Sequence, residues 1–236
     1  MSTRHFSKTS GEPAPLSWRY AGRVPYDDAI AEQEIARRRV IDGVAGAETL
    51  LLLEHDPVIT LGKSAEPRHL LASPELLARR GIAVRTSTRG GEVTYHGPGQ
   101  LMVYLVYRIR GSVEEYLATV AGALAEVAAT LGVSGASWRR DPAGLWLGEA
   151  KLAACGLHIS RRVAMHGFAF NVDSDPAAWS LIVPCGLPAP VISLAQARAQ
   201  RGLLPPPPVS TIAPVVAAHV CRALGRQPCP ARTRVH

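Results

Sequence analysis

The chain has 236 residues, 47% of them hydrophobic and 19% charged, enough to bury a sizeable core and soluble in composition. Its net charge of +7 favours an acidic partner, yet no basic run interleaves with aromatics, so nucleic acid is not indicated. No apolar run approaches the roughly 20 residues that span a bilayer. The opening "MSTRHFSKTSGEPAP" lacks the hydrophobic segment of a signal peptide. A cytoplasmic address without membrane attachment is therefore expected.

In chain order, residues 1–15 are polar with Gly and Pro and are expected to be disordered. "PYDDAIAEQEIARRRV" from Pro25 predicts a helix, with proline in its first turn, acids early and arginines late. "ETLLLLEHDPVITLG" reads as two apolar strands broken at His55-Asp56-Pro57. "SPELLARRG" predicts a short capped helix ended by Gly81, and "IAVRTST" a strand. The turn-rich "RGGEVTYHGPGQ" leads into an apolar strand, "LMVYLVYRI". The longest helix is "SVEEYLATVAGALAEVAATLG", where Ser112 and Glu115 have capping-box spacing. Three β-like runs follow, "GLWLG", "AKLAACGLHIS" and "VAMHGFAFNV". After the turn at Cys185 come a stiff "PPPP" at 205–208 and a terminal helix, "VSTIAPVVAAHVCRALG". Without repeats or an internal boundary, this order predicts one α/β domain of the α+β type, with a mixed sheet flanked by helices over 16–225. A flexible tail is expected over 226–236.

Four cysteines, Cys155, Cys185, Cys221 and Cys229, form no CxxC pair, so free thiols are expected and no metal site. Cys185 stands between Pro184 and Gly186, where it either packs as a small hydrophobe or is held at a pocket rim. Lysine occurs only at Lys8, Lys63 and Lys151, so 23 of the 26 basic residues are arginine. A generic edge charge at Lys151 would be written here as arginine; a lysine suggests a group that must be able to lose its proton. The small residues after it, Ala153 to Gly156, predict a groove beside the strand. His96 reads either as a surface histidine of a hairpin or as a strand-end group beside a ligand. His166 reads as a hydrogen-bonded core residue or as a supporting member of a site. "GKS" at 62–64 is not a phosphate loop, because Pro57 stands where its first glycine belongs.

"RGGEVTYHGPGQL", "KLAACGLHI", "HGFAFNV" and "PCGL", in this order, resemble the octanoyl-[acyl-carrier-protein]:protein N-octanoyltransferases, the lipoyl(octanoyl) transferases. The resemblance runs from about residue 16 to the terminal helix. It implies a biotin/lipoate protein ligase-like fold and a Cys/Lys dyad, with Cys185 carrying the acyl thioester and Lys151 activating it. It places acyl binding at Arg89, Gly90, Gly91, Glu92, Val93, Thr94, Tyr95 and His96, at Ala154, Cys155 and Gly156, and at Gly167, Phe168 and Ala169. Cys155 replaces the aliphatic residue expected there and puts a second thiol near the pocket. The implied reaction moves an octanoyl or lipoyl group from acyl carrier protein to a lysine of lipoyl domains, those of 2-oxoacid dehydrogenase E2 subunits and the glycine cleavage H protein. This is the first step of endogenous lipoylation and needs no cofactor, since a thioester already carries the free energy of an amide. Two alternatives are an ATP-dependent lipoate–protein ligase and a non-catalytic acyl-binding module.

Overall fold

A computed structural model describes residues 13–184 and 190–231. Cys185 lies outside the described residues. Eight strands form one mixed sheet: β1 (Pro15–Val24), β2 (Thr49–His55), β6 (Gln100–Arg108), β7 (Ala136–Arg140), β8 (Ala143–Leu147), β9 (Ala150–Ser160), β10 (Val163–Asn171) and β11 (Gln227–Pro230), in the order β11-β1-β2-β6-β10-β9-β8-β7. β1 is parallel to both β11 and β2, and the remaining pairs are antiparallel. A second sheet holds β3 (Val58–Leu61) between β4 (Ala83–Thr86) and β5 (Val93–His96).

Period-two alternation divides the large sheet's faces. Leu50, Leu52, Leu101, Val103, Leu105, Phe168 and Phe170 point to one side. There they meet Val120, Leu124 and Val127 of α3 (Val113–Thr130) and Ile212, Val216 and Val220 of α5 (Val209–Ala223). Leu51, Leu53, Met102, Tyr104 and Ala169 point to the other side, where Ala29 of α1 (Tyr26–Ile41) covers part of them. The Ser112–Glu115 capping box forms at the start of α3 as its spacing predicts. The short helices α2 (Pro74–Arg79) and α4 (Leu194–Ala199) complete the set.

Three expectations need correction. Residue 15 begins β1 rather than ending a disordered arm, and the alternation Leu16, Trp18, Tyr20 was its signal. Residues 227–230, read as part of a flexible tail, pair with β1, and the Arg226 guanidinium beneath them donates to the carbonyls of Ala14 and Pro15. The segment read only as turn-rich contains β5, whose Val93 and Tyr95 are buried in a cluster with Leu181 and Ile182. Among the described residues, no helix is long and apolar enough to cross a membrane.

Candidate active site

α1 covers only part of the sheet face it packs on, and the small sheet closes over the remainder. Between them lies a cavity of about 330 Å³. Its floor is made of small residues on neighbouring strands: Ala154 beside Ala169, and Gly156 beside Gly167. Side chains would fill this groove. A Cβ on Gly167 would lie 2.1 Å from the Val103 carbonyl oxygen, and one on Gly156 would lie 2.9 Å from that of Gly90. The loop at Arg89-Gly90 is laid directly on β9, where the Gly90 N–H donates to the Leu157 carbonyl at 2.8 Å.

Lys151 is buried at the cavity wall with 5% of its surface exposed. Its position needs a β-bulge. Leu145 pairs with Ala153 but Trp146 pairs with Lys151, so Leu152 is an extra residue on β9. Without the bulge, alternation from Ala153 would turn Lys151 toward the helices; with it, Lys151 shares the cavity face with Ala154. The ammonium sits 4.9 Å from the centre of the Trp146 ring, a cation–π contact. Gly144 gives the stem clearance, since a Cβ there would lie 3.3 Å from Lys151 Cε and 2.7 Å from the Ala153 carbonyl oxygen. Gly144→Ala should therefore strain the β8–β9 backbone contact as well as crowd the lysine, lowering the melting temperature and turnover, the latter about tenfold or more; wild-type kcat and melting temperature together would show that the site has room for the methyl group.

The backbone of Lys151 also holds the chain at Pro190–Ile192. Its N–H donates to the Pro190 carbonyl at 2.8 Å and its carbonyl accepts from Ile192 at 3.1 Å. On the preceding side, the Val183 N–H donates to the His69 carbonyl at 2.8 Å. His69 Nδ1 in turn meets the carboxylate of Glu92, a cavity residue, at 3.1 Å.

The far wall is polar and internally bonded. Arg89 donates to Thr60 Oγ1 through Nε and a terminal nitrogen. Thr60 Oγ1 then donates to His96 Nε2 at 3.3 Å, His96 Nδ1 donates to Gln100 Oε1 at 2.8 Å, and Gln100 Nε2 donates to Asn171 Oδ1 at 2.8 Å. Behind this chain the Tyr104 hydroxyl donates to His55 Nε2, while His55 Nδ1 donates to the Val24 carbonyl. Each polar group has a partner, as a buried network requires. His96 is thus a buried network member and not the surface histidine of a hairpin.

Burial keeps these histidines neutral. Desolvation is the largest cause for all three: it lowers His55, drives His96 well below its usual range with help from His55 and Arg89, and takes His166 to about 3 with help from Arg89. Depressed values mean that the unfolded chain binds more protons below about 6.5. Stability should hold above that pH and fall as pH drops toward 4, by up to about 1.4 kcal/mol per pH unit for each histidine. Urea melts between pH 7.5 and 4.5 would show it, and a flat stability profile over that window would contradict neutral burial.

The expected acyl-binding residues divide accordingly. Arg89, Gly91, Glu92, Thr94, His96, Ala154, Cys155, Gly156, Gly167, Ala169 and also His166 line the cavity with Lys151. Phe168 does not: strand alternation sends its ring into the helix-side core against Trp138. Val93 and Tyr95 belong to the small sheet's own core. Gly90 acts through its backbone. Tyr26, Ser64, Met102, Tyr104 and the Asp141-Pro142-Ala143 turn line the cavity without having been singled out. Ligand atoms of Glu66, His69 and Glu92 lie within 4.8 Å of one another, but they are spent locally: Glu92 accepts from His69 and the Glu66 N–H, and Glu66 pairs with Arg68. The N–H groups of Gly62, Lys63 and Ser64 donate to the carbonyls of Glu92, Arg89 and Gly91, so "GKS" is a clasp and not a phosphate cradle.

The arrangement of sheets and helices is that of the lipoate protein ligase fold. A bipartite lipoate protein ligase from Thermoplasma acidophilum superimposes with a TM-score of 0.64 at 13% identity, over 94% of this chain and 89% of that one. The chain belongs to the lipoyl protein ligase A/B catalytic domain family, whose model matches residues 25–220. An octanoyltransferase of Solibacter usitatus is 45% identical over 179 residues, 75% of this chain and 81% of the relative. An octanoyltransferase of Gloeobacter violaceus is 42% identical over 211 residues, covering 87% and 89%.

Proposed function

We propose that this protein is an acyltransferase that moves an octanoyl group from acyl carrier protein to a lysine of lipoyl domains, through a thioester on Cys185. The observation that carries the reading is the placement of Lys151. A lysine in an arginine-rich chain is buried at the wall of an acyl-sized groove, and its backbone bonds to Pro190 and Ile192, a few positions downstream of Cys185. The chain's likeness to relatives named octanoyltransferase supports the acyl group.

In the first half-reaction the Cys185 thiolate, favoured by the Lys151 ammonium, attacks the carbonyl of the carrier's thioester. A new C–S bond forms, the carrier's C–S bond breaks, and the leaving carrier thiolate takes the proton of the Lys151 ammonium, which is left neutral. The octanoyl chain then lies along Ala154, Gly156, Gly167 and Ala169. In the second, the amine of the target lysine attacks the acyl-enzyme. The amide C–N bond forms, the bond to Cys185 sulfur breaks, and the amine's proton passes to neutral Lys151. Thiol exchange is nearly isoenergetic and amide formation runs downhill, so the cycle closes without ATP. The partners on this reading are octanoyl-acyl carrier protein and the lipoyl domains of 2-oxoacid dehydrogenase E2 subunits and the glycine cleavage H protein, met in the cytoplasm.

The test is to mix the protein with octanoyl carrier protein, without ATP, and weigh it. A gain of one octanoyl group, mapped to the peptide of Cys185 and not of Cys155, is the expected result. No adduct without ATP, and an acylated lipoyl domain only with ATP and free acid, would make the protein a ligase.

A further inference from the structure

One side chain lining the groove, His166, stands where strand alternation would not have placed it. Along β10, Phe168 and Phe170 face the helices, while Gly167 and Ala169 face the cavity. His166 shares the parity of Phe168, yet it lines the cavity. Its backbone explains the change of side: φ is +63°, in the left-handed region that non-glycine residues rarely adopt. The surroundings hold it there. Its N–H donates to Gln33 Oε1 at 2.7 Å, and the buried Gln33 amide is itself fixed by donation to the Ala29 carbonyl at 3.2 Å. The ring stands edge-on to Tyr104, with centroids 6.2 Å apart, and its Nε2 is 3.3 Å from Thr88 Oγ1. A strained residue held by its neighbours beside a cleft points to a role for the strain.

Register gives the distance that this ring closes. Lys151 Cε reaches to within 3.3 Å of the Cβ position on Gly144, which pairs with Ala154. His166 pairs with Leu157. Three residues of strand separate the two rows, roughly 10 Å at the usual rise. An extended eight-carbon acyl chain has that length from its reacting carbonyl to its methyl. We propose that His166 is the end stop of the groove and sets the acyl length the protein accepts. The proposal rests on the acyl-transfer reading for the identity of the occupant. The strained backbone is the device that swings the imidazole out of the core and across the groove's end, and its neutral state lets it face a methyl group.

Equilibrium binding of free octanoate, decanoate and dodecanoate to the full chain tests this without requiring transfer. His166→Gly removes the ring and suits the left-handed backbone; His166→Asn tolerates that backbone and leaves a shorter side chain. Each further buried methylene is worth roughly fourfold in affinity. Wild type should bind octanoate in preference to decanoate, and His166→Gly should raise the decanoate-to-octanoate ratio about tenfold or more, with decanoate binding tighter than to wild type. His166→Asn should give a smaller rise in the same direction, and it decides the matter if the glycine variant melts early. An unchanged ratio in a folded variant, or equal weakening for every acid, would place the stop elsewhere. If the acids bind with the expected shift but wild type acquires no acyl group from the carrier thioester, the transferase reading fails and the end stop stands.

Discussion

Cys185→Ser should abolish octanoyl transfer, with turnover falling about a thousandfold or more while the melting temperature stays within a few degrees of wild type. A thiol is a few per cent thiolate at neutral pH, and more in the proposed dyad with Lys151, whereas a serine hydroxyl in that role stays protonated. The thiol is also a leaving group that the second half-reaction needs, so the substitution damages both steps. Steady-state transfer to a lipoyl domain is the measurement, together with mass analysis of the protein mixed with octanoyl carrier protein alone. A serine variant that keeps more than a few per cent of wild-type turnover would remove the covalent route. Direct attack by the target amine on the carrier thioester would then have to be considered, with the groove serving only to align the two.

Much of the scaffold was legible because its signals are local. The apolar run of "LMVYLVYRI", the alternation of "HGFAFNV", the Ser112–Glu115 spacing and the small residues after "KL" each act within a few residues. The groove floor could likewise be foreseen from the missing side chains at Ala154, Gly156, Gly167 and Ala169. What escaped was the orientation of two chemically important residues, and both cases break alternation. Lys151 reaches the cavity only because Leu152 is an extra residue opposite the Leu145–Trp146 step. His166 reaches it only because its φ is +63°. Neither a bulge nor a left-handed residue carries a local composition signal strong enough to read, since each is fixed by partners outside its own strand, Trp146 and the distant Pro190 for one and Gln33 for the other. Phe168 is the converse. It lies within a matched motif, but simple alternation was the better guide to its ring, which belongs to the core.

Lys151→Arg should be nearly as damaging as Lys151→Ala, and the damage should fall unequally on the two half-reactions. The site would accept a second cation in electrostatic terms. A guanidinium stacks on an aromatic face, so Trp146 would hold it, and its charge would still favour a thiolate nearby. Its bulk is a cost, because the side chain it would replace is buried against the cavity wall and packed over Gly144. Loading of Cys185 from the carrier should therefore slow by about tenfold. Discharge to a lipoyl domain asks for something arginine does not supply, a neutral nitrogen that accepts the proton of the attacking amine. General-base loss costs about a hundredfold to ten-thousandfold, so discharge should become the slow step and acyl-enzyme should accumulate. In Lys151→Ala both steps should fail, and no acyl-enzyme should build up. Rapid-quench measurement of loading and of discharge separates these outcomes. Discharge at the wild-type rate in the arginine variant would reduce Lys151 to an electrostatic prop. His96 would be a poor substitute as base, because its Nε2 already accepts from Thr60 and burial holds its proton affinity far down. The proton would then have to leave through the incoming lipoyl domain or through solvent at the open side of the groove.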